Sequence, residues 1–68
     1  MLISVNGEDR QLADGATVAT VVELLDVAPD ARGVAVALDG EVVARGRWAH
    51  TALADGARIE VVAAIQGG

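Results

Sequence analysis

The pair Gly67-Gly68 at the C-terminal end is the part of this sequence whose residue types are best suited to chemistry. Glycine has no Cβ, so such an end can enter a channel that is too narrow for side chains. An α-carboxyl group has an unperturbed pKa of about 3.3 to 3.7, and the resulting anion can attack the α-phosphate of ATP. Sulfide or a persulfide can then replace AMP on the acyl-adenylate and leave a C-terminal thiocarboxylate. The alternative is that Gly-Gly is merely a frayed chain end.

Other residues that could do chemistry lack the partners they would need. His50 could act as a general base, but Ser4 is the only serine and the chain has no cysteine for it to activate. One histidine and ten scattered acidic residues show no ligand spacing, so we predict no metal site. Gly46 lies between two arginines without the glycine spacing or the Lys-Ser/Thr ending of a phosphate loop. We therefore expect ATP to bind to a partner protein.

Two further regions are candidates for contact with other proteins. Alternation along the last strand predicts polar residues at positions 62 and 64, but Val62 and Ala64 stand there. These apolar residues could form a docking surface near the end of the chain, and we group Gln66 with them. The alternative is that a neighbouring strand or the loop around Trp48 covers them. Trp48 itself, the only aromatic residue, is predicted to fill the core while its indole N–H finds one partner. Arg45 is expected to anchor its loop through the guanidinium group.

Size and composition limit the remaining possibilities. A chain of 68 residues with 53% hydrophobic residues can form one small domain and no more. The net charge of -5 disfavours binding to nucleic acid and suits a basic protein partner. The chain has no cysteine, so nothing in it favours an oxidising compartment. We see no basic leader or membrane-spanning stretch, so we expect a cytoplasmic protein. All five basic residues are arginine, which excludes chains of this protein linked through its own lysines.

The first half of the sequence predicts a hairpin followed by a helix. Residues 2 to 6 place Ile3 and Val5 on one face of a strand, and residues 7 to 9 supply a turn before a second strand from Arg10 to Ala13. Asp14-Gly15 is a break. Thr17 can then cap a helix that carries an apolar stripe with spacing i, i+3, i+4 and i+7, formed by Val18, Val21, Val22 and Leu25. This helix should lie on the sheet.

The second half predicts three more strands. Val34, Val36 and Leu38 alternate in a third strand, and Asp39-Gly40 predicts a two-residue hairpin that returns through residues 41 to 44. The segment 45 to 53 has no clear pattern. Asp55-Gly56 gives the last turn before a final strand from Arg58 to Ile65, which places Ile59, Val61, Ala63 and Ile65 on one face. The resulting order, ββαβββ, predicts an α+β protein with a mixed sheet and one helix.

Several of these residues resemble the ThiS family. The resemblance lies in the run from Val43 to His50, in Leu53, in Asp55-Gly56, in the run from Arg58 to Glu60, and in Gly67-Gly68. ThiS proteins commonly carry proline where Ala44 stands here, so one local marker is missing. The resemblance implies a β-grasp, or ubiquitin-like, domain over residues 1 to 65 with a flexible tail at 66 to 68. It also implies that the first and last strands lie parallel in the middle of the sheet.

The same resemblance implies a function. ThiS proteins are sulfur carriers of thiamin biosynthesis, so the chain would be the substrate of an E1-like, ThiF-type adenylating enzyme and not an enzyme itself. That partner would use ATP and magnesium on the carboxylate of Gly68, with Gly67 giving the end its freedom. Sulfur would come from a cysteine desulfurase or a relay protein. The thiocarboxylate would then deliver sulfur to the thiazole synthase ThiG.

Other functions share the same kind of C-terminal end. A MoaD-type carrier would supply sulfur to molybdopterin, although such chains tend to be longer and to have aromatic residues near the tail. Carriers for cysteine or natural-product synthesis have the same fold and end. A ubiquitin-like modifier would be joined to target lysines through Gly68. A non-reactive interaction module would not depend on Gly68 at all.

Overall fold

The computed structural model describes residues 1–27 and 33–63. Within these residues the chain forms five strands, one α-helix and one 3₁₀ helix, and their order confirms the predicted ββαβββ sequence of elements. The elements are β1 Leu2–Val5, β2 Glu8–Gln11, α1 Val18–Leu24, β3 Val34–Leu38, β4 Glu41–Val43, the 3₁₀ helix Arg45–His50 and β5 Arg58–Ala63.

The strands form a single mixed sheet with the order β2-β1-β5-β3-β4. β1 and β5 are parallel neighbours, whereas β1 pairs with β2, β3 with β4, and β3 with β5 in antiparallel fashion. The first and last strands of the chain are therefore adjacent in the interior of the sheet. This arrangement confirms the predicted β-grasp fold.

The two hairpins turn on pairs of residues that both have positive φ. Asp39 (φ 49°) and Gly40 (φ 87°) form the predicted turn between β3 and β4. The first hairpin turns at Asn6 (φ 50°) and Gly7 (φ 85°), and β2 starts directly afterwards at Glu8. The predicted turn at residues 7 to 9 and the predicted strand from Arg10 to Ala13 are therefore displaced by about two residues. Asn-Gly is the pair that best tolerates two positive φ angles, and it decides the position of the turn.

The helix α1 begins where the sequence predicts. Thr17 is the N-cap: its Oγ1 accepts a hydrogen bond from the backbone N–H of Thr20 at 3.4 Å, and the N–H of Thr17 donates to Oγ1 of Thr20 at 3.0 Å. The helix buries the three valines of its predicted stripe, Val18, Val21 and Val22. Leu25, predicted as the fourth member of that stripe, is the C-cap residue and is partly buried.

The core lies between one face of the sheet and the two helices. Its buried residues are Ile3, Val5, Ala16, Val18, Val21, Val22, Val36, Trp48, Leu53, Ala57 and Ile59. The segment without a clear sequence pattern supplies the 3₁₀ helix, which packs against α1. Hydrogen bonds from Val18 N to Thr51 O and from Leu53 N to Ala16 O, both 3.0 Å, tie the segment after the 3₁₀ helix to the start of α1.

Parts of the predicted organisation fall outside the described residues. These are the boundary between a domain at 1 to 65 and a tail at 66 to 68, and the last two residues of the strand predicted from Arg58 to Ile65. In the part of the chain that the structure describes, neither helix has the length and apolar character needed to span a bilayer.

Candidate functional site

Four of the five predicted site residues, Ala64, Gln66, Gly67 and Gly68, lie outside the described residues. The fifth, Val62, is on β5, the strand that leads towards them. The surroundings of β5 therefore define what the structure shows of the site. The predicted roles of these five residues stay predictions.

β5 separates two kinds of side chain. Ile59 is fully buried and Val61 is partly buried against the core, so these two side chains face the helices. Arg58, Glu60 and Val62 alternate with them and are exposed. Because successive strand residues point to opposite sides, these three side chains lie on the face of the sheet opposite to α1 and the 3₁₀ helix.

Val62 belongs to an apolar group on this outer face. It pairs with Ala35 on β3, and Ala37, two residues further along β3, pairs with Val42 on β4. Directly paired residues share a face of the sheet, so these four side chains lie together. Val62 is 61% exposed and Val42 is 80% exposed. We call Ala35, Ala37, Val42 and Val62 the outer patch. The alternative in which a strand or the loop around Trp48 covers Val62 is wrong.

Three members of the outer patch were missed from the sequence, although a signal for them exists. A two-residue turn at Asp39-Gly40 fixes the register of the hairpin, because Leu38 must then pair with Glu41 and Ala37 with Val42. Val36 is a core residue, so Ala35, Ala37 and Val42 must all face away from the core. The acidic side chain of Glu60 pairs with Ala37 and lies at the border of the patch.

Two turn side chains hold the backbone of β5. Oδ1 of Asp39 accepts the N–H of Arg58 at 2.9 Å, at the start of the strand. Oδ1 of Asn6 accepts the N–H of Val61 at 2.8 Å, and Nδ2 of Asn6 donates to the carbonyl oxygen of Val61 at 3.3 Å. Asp39 therefore fixes the start of β5, and Asn6 fixes the part of β5 that leads to the candidate reactive end.

Trp48 lies in the core, and Arg45 lies over its ring. Trp48 is 5% exposed and its indole Nε1 donates to the carbonyl oxygen of Val43 at 2.9 Å, which confirms the predicted packing role. The guanidinium carbon of Arg45 lies 4.9 Å from the centre of the indole ring, in the range of a cation–π contact. His50 is exposed at the end of the 3₁₀ helix. Among residues 1–27 and 33–63, no three acidic or histidine side chains converge as a metal site.

Comparison with known proteins gives consistent matches. The model of the ThiS family matches residues 3–68. The crystal structure of the thiamine biosynthesis protein ThiS from Geobacter metallireducens is 33% identical, with a TM-score of 0.79 and 100% of both chains covered. A solution NMR structure of a thiamine biosynthesis protein from the same organism has the same identity and TM-score, with 88% of that chain covered.

A longer protein is also similar. A thiazole synthase from Paramagnetospirillum magneticum is 38% identical over 68 residues, which are 100% of this chain and 20% of that protein. The chain thus spans about a fifth of the length of this curated relative. The family match includes the terminal Gly67-Gly68 and accounts for nearly the whole sequence. The matches in sequence and in fold show that the chain belongs to the ThiS family.

Proposed function

We propose that this chain is a sulfur carrier of thiamin biosynthesis and that the carboxylate of Gly68 carries the sulfur. The observation that supports this proposal most strongly is the family match, which continues through residue 68 and so includes the Gly-Gly pair. The similar solved structures, which are named as thiamine biosynthesis proteins, support the same pathway.

The proposed chemistry takes place at one carbon atom. A carboxylate oxygen of Gly68 attacks the α-phosphorus of ATP and pyrophosphate leaves, which gives an acyl-adenylate. Hydrosulfide then attacks the carbonyl carbon, the C–O bond to AMP breaks, and a thiocarboxylate remains. If a persulfide is the donor, the first product is an acyl disulfide, and a thiol must reduce its S–S bond to release the same thiocarboxylate.

The chain supplies a substrate group and a partner supplies the catalysis. Gly68 provides the reacting carboxylate, and Gly67, which has no side chain, allows the end to enter a narrow active site. ATP and magnesium would be bound by a ThiF-type adenylating enzyme, and this chain would bind no cofactor of its own. A cysteine desulfurase or a relay protein would provide the sulfur. The cytoplasm is the compartment that fits these partners.

We assign the outer patch to contact with the adenylating enzyme, together with Ala64 and Gln66. Val62 precedes Gly68 by six residues, a stretch that can reach about 20 Å when it is fully extended. An enzyme that holds Gly68 in its active site is therefore close enough to cover Val62 and Val42, whose exposed methyl groups favour removal from water. The acidic Glu60 at the border and the net charge of -5 favour a basic surface around that contact.

A thiazole synthase is the proposed acceptor of the sulfur. The relative named thiazole synthase contains a segment similar to the whole of this chain within a much longer protein. A carrier-like segment and a thiazole synthase within one polypeptide are held close together, which favours transfer between them. By analogy, the carrier described here would deliver its sulfur to a ThiG-type thiazole synthase.

The experiment that tests adenylation is the exchange of labelled pyrophosphate into ATP. The purified chain is mixed with a ThiF-type enzyme, magnesium and ATP, and the exchange rate is measured with the unaltered chain and with a chain that lacks Gly68. We expect exchange only with the unaltered chain. Equal exchange with both chains would refute Gly68 as the adenylated residue. The absence of exchange with an enzyme that is active on another ThiS protein would refute the proposed function.

A further inference from the structure

The backbone hydrogen bonds between the parallel strands β1 and β5 end at the turn that follows β1. Ser4 N donates to Ala57 O and Asn6 N donates to Ile59 O, both at 3.0 Å. The chain then reverses at Asn6-Gly7 into β2. No further peptide group of β1 can therefore continue the ladder to Val61, whose N–H and carbonyl oxygen face the same edge as those of Ile59.

The side chain of Asn6 takes the place of that missing peptide group. Its Oδ1 accepts the N–H of Val61 at 2.8 Å, and its Nδ2 donates to the carbonyl oxygen of Val61 at 3.3 Å. In a parallel pair, every second residue of a strand forms hydrogen bonds to the neighbouring strand through both its N–H and its C=O. The carboxamide of Asn6 thus makes the two bonds that an extended β1 would have made.

Asparagine fits this position for two independent reasons. The paired bonds need one donor and one acceptor at the same short distance from the backbone, which a carboxamide has and an ionised carboxylate lacks. The backbone of Asn6 has φ 50°, in the left-handed region that asparagine tolerates better than most residues with a side chain. Glycine at this position would keep the turn and lose both bonds.

We propose that Asn6 is a positioning residue for the reactive end of the chain, an inference that rests on the function proposed above. Asn6 holds the β1 edge of β5 at Val61, while β3 holds the opposite edge through the pairs of Val62 with Ala35 and of Ala63 with Val34. With both edges held, Val62 has a fixed place in the outer patch. The segment from there to Gly68 then starts from a fixed point when the adenylating enzyme takes it.

Asp39 offers a matched control. It is also the first residue of a two-residue turn followed by glycine, it has a similar φ of 49°, and its side chain also bonds the backbone of β5. Its bond is to Arg58, at the opposite end of the strand from Ala63. Asn6→Gly and Asp39→Gly therefore make the same kind of change, one near the end of β5 and one at its start.

The structural part of the test is amide hydrogen exchange. In Asn6→Gly, we expect the amide of Val61 to exchange faster while the amide of Arg58 keeps the protection found in the unaltered chain. In Asp39→Gly, we expect the opposite pattern. Unchanged exchange of Val61 in Asn6→Gly would show that the carboxamide does not hold β5, and the inference would fall without any measurement of activity.

The functional part compares KM and kcat for the adenylating enzyme in the pyrophosphate exchange assay. We expect Asn6→Gly to raise KM about tenfold, the change that corresponds to ordering roughly one additional residue on binding. We expect kcat of Asn6→Gly to stay within about twofold of the unaltered chain, because the reacting groups are the same. For Asp39→Gly, we expect both KM and kcat to stay within about twofold. A purely structural role would move KM by similar factors in the two variants, and that result would overturn the proposal.

A second variant protects the test against a folding failure. Asn6→Asp keeps an oxygen acceptor for Val61 N–H and loses the donor to Val61 O, so we expect it to share the rise in KM. If Asn6→Asp has the KM of the unaltered chain, the donor has no positioning role and the proposal is wrong. Failure of the function itself would look different, because then even the unaltered chain would support no exchange.

Discussion

The two faces of the sheet carry similar aliphatic residues in opposite environments. On the face towards the helices, Val5 and Val36 are 2% and 1% exposed, whereas on the outer face Val42 and Val62 are 80% and 61% exposed. Residue type therefore does not distinguish the faces, but the elements that cover them do. A buried valine contributes roughly 1.5 to 3 kcal/mol to folding, and an exposed one can contribute when a partner covers it. One face stabilises the domain and the other is available for binding.

The largest expected effect comes from removing a large side chain on the face of the sheet that the helices cover. Trp48→Ala removes the largest side chain of the core and the hydrogen bond to Val43, so we expect a loss of about 3 to 5 kcal/mol in the free energy of unfolding. Urea denaturation followed by circular dichroism measures it. His50→Ala, an exposed change in the same 3₁₀ helix, should stay within about 0.5 kcal/mol. A loss below about 1 kcal/mol for Trp48→Ala would contradict its place in the core.

An intermediate effect is expected from making the outer face polar. The double variant Val42→Thr/Val62→Thr keeps β-branched side chains, so we expect the free energy of unfolding to change by less than about 1 kcal/mol. Each substitution replaces one methyl group with a hydroxyl group, so the affinity for the adenylating enzyme should fall about tenfold by calorimetry.

The control for this prediction is Leu24→Gln, which removes another exposed hydrophobic side chain, at the end of α1 and away from the outer patch. Its affinity for the enzyme should stay within about twofold of the unaltered chain. If the double variant binds as tightly as Leu24→Gln, the outer patch is not the docking surface. The outer face of the sheet would then have no role in binding the enzyme.

The smallest effect concerns how the covering helix begins. Thr17→Ala removes the side-chain acceptor for Thr20 N–H and should lower the free energy of unfolding by about 1 kcal/mol. The same denaturation experiment measures it. Because Thr17 caps α1, which packs on the face of the sheet opposite to the outer patch, we expect no change in the affinity for the enzyme. Unaltered stability would show that burial of the valines alone determines the start of the helix.

Local chemistry made most of the elements predictable. Thr17 caps α1, Asp39-Gly40 and Asp55-Gly56 make turns, and alternation identifies the strands, because each of these depends on neighbours in the sequence. The parallel pairing of β1 with β5 joins segments more than fifty residues apart, as in the pair of Ser4 with Arg58. Periodicity does not show which distant strands meet, so this pairing was predicted from the family resemblance.

The errors also have physical causes. The apolar alternation misplaces the first turn because it extends the strand through Asn6, whereas Asn-Gly accepts two positive φ angles and turns the chain there. The 3₁₀ helix has no periodic pattern, and side-chain bonds such as that from Thr51 Oγ1 to Arg47 O at 2.7 Å help to close it. In the candidate site, alternation along its own strand is enough to predict that Val62 faces outward. The rest of the outer patch depends on strand register, which needs the turn and the pairing together.

The most direct test of sulfur transfer uses the absence of cysteine from this chain. The protein is incubated with ATP, a ThiF-type enzyme and a sulfur source, treated with a thiol alkylator, and analysed by intact mass and fragment mapping. Alkylation is decisive, because oxidation of Met1 and the exchange of oxygen for sulfur add nearly the same mass, and only a thiocarboxylate is alkylated like a thiol. We predict one ATP-dependent adduct at Gly68. No adduct, with an enzyme that modifies another ThiS protein, would contradict the proposed function.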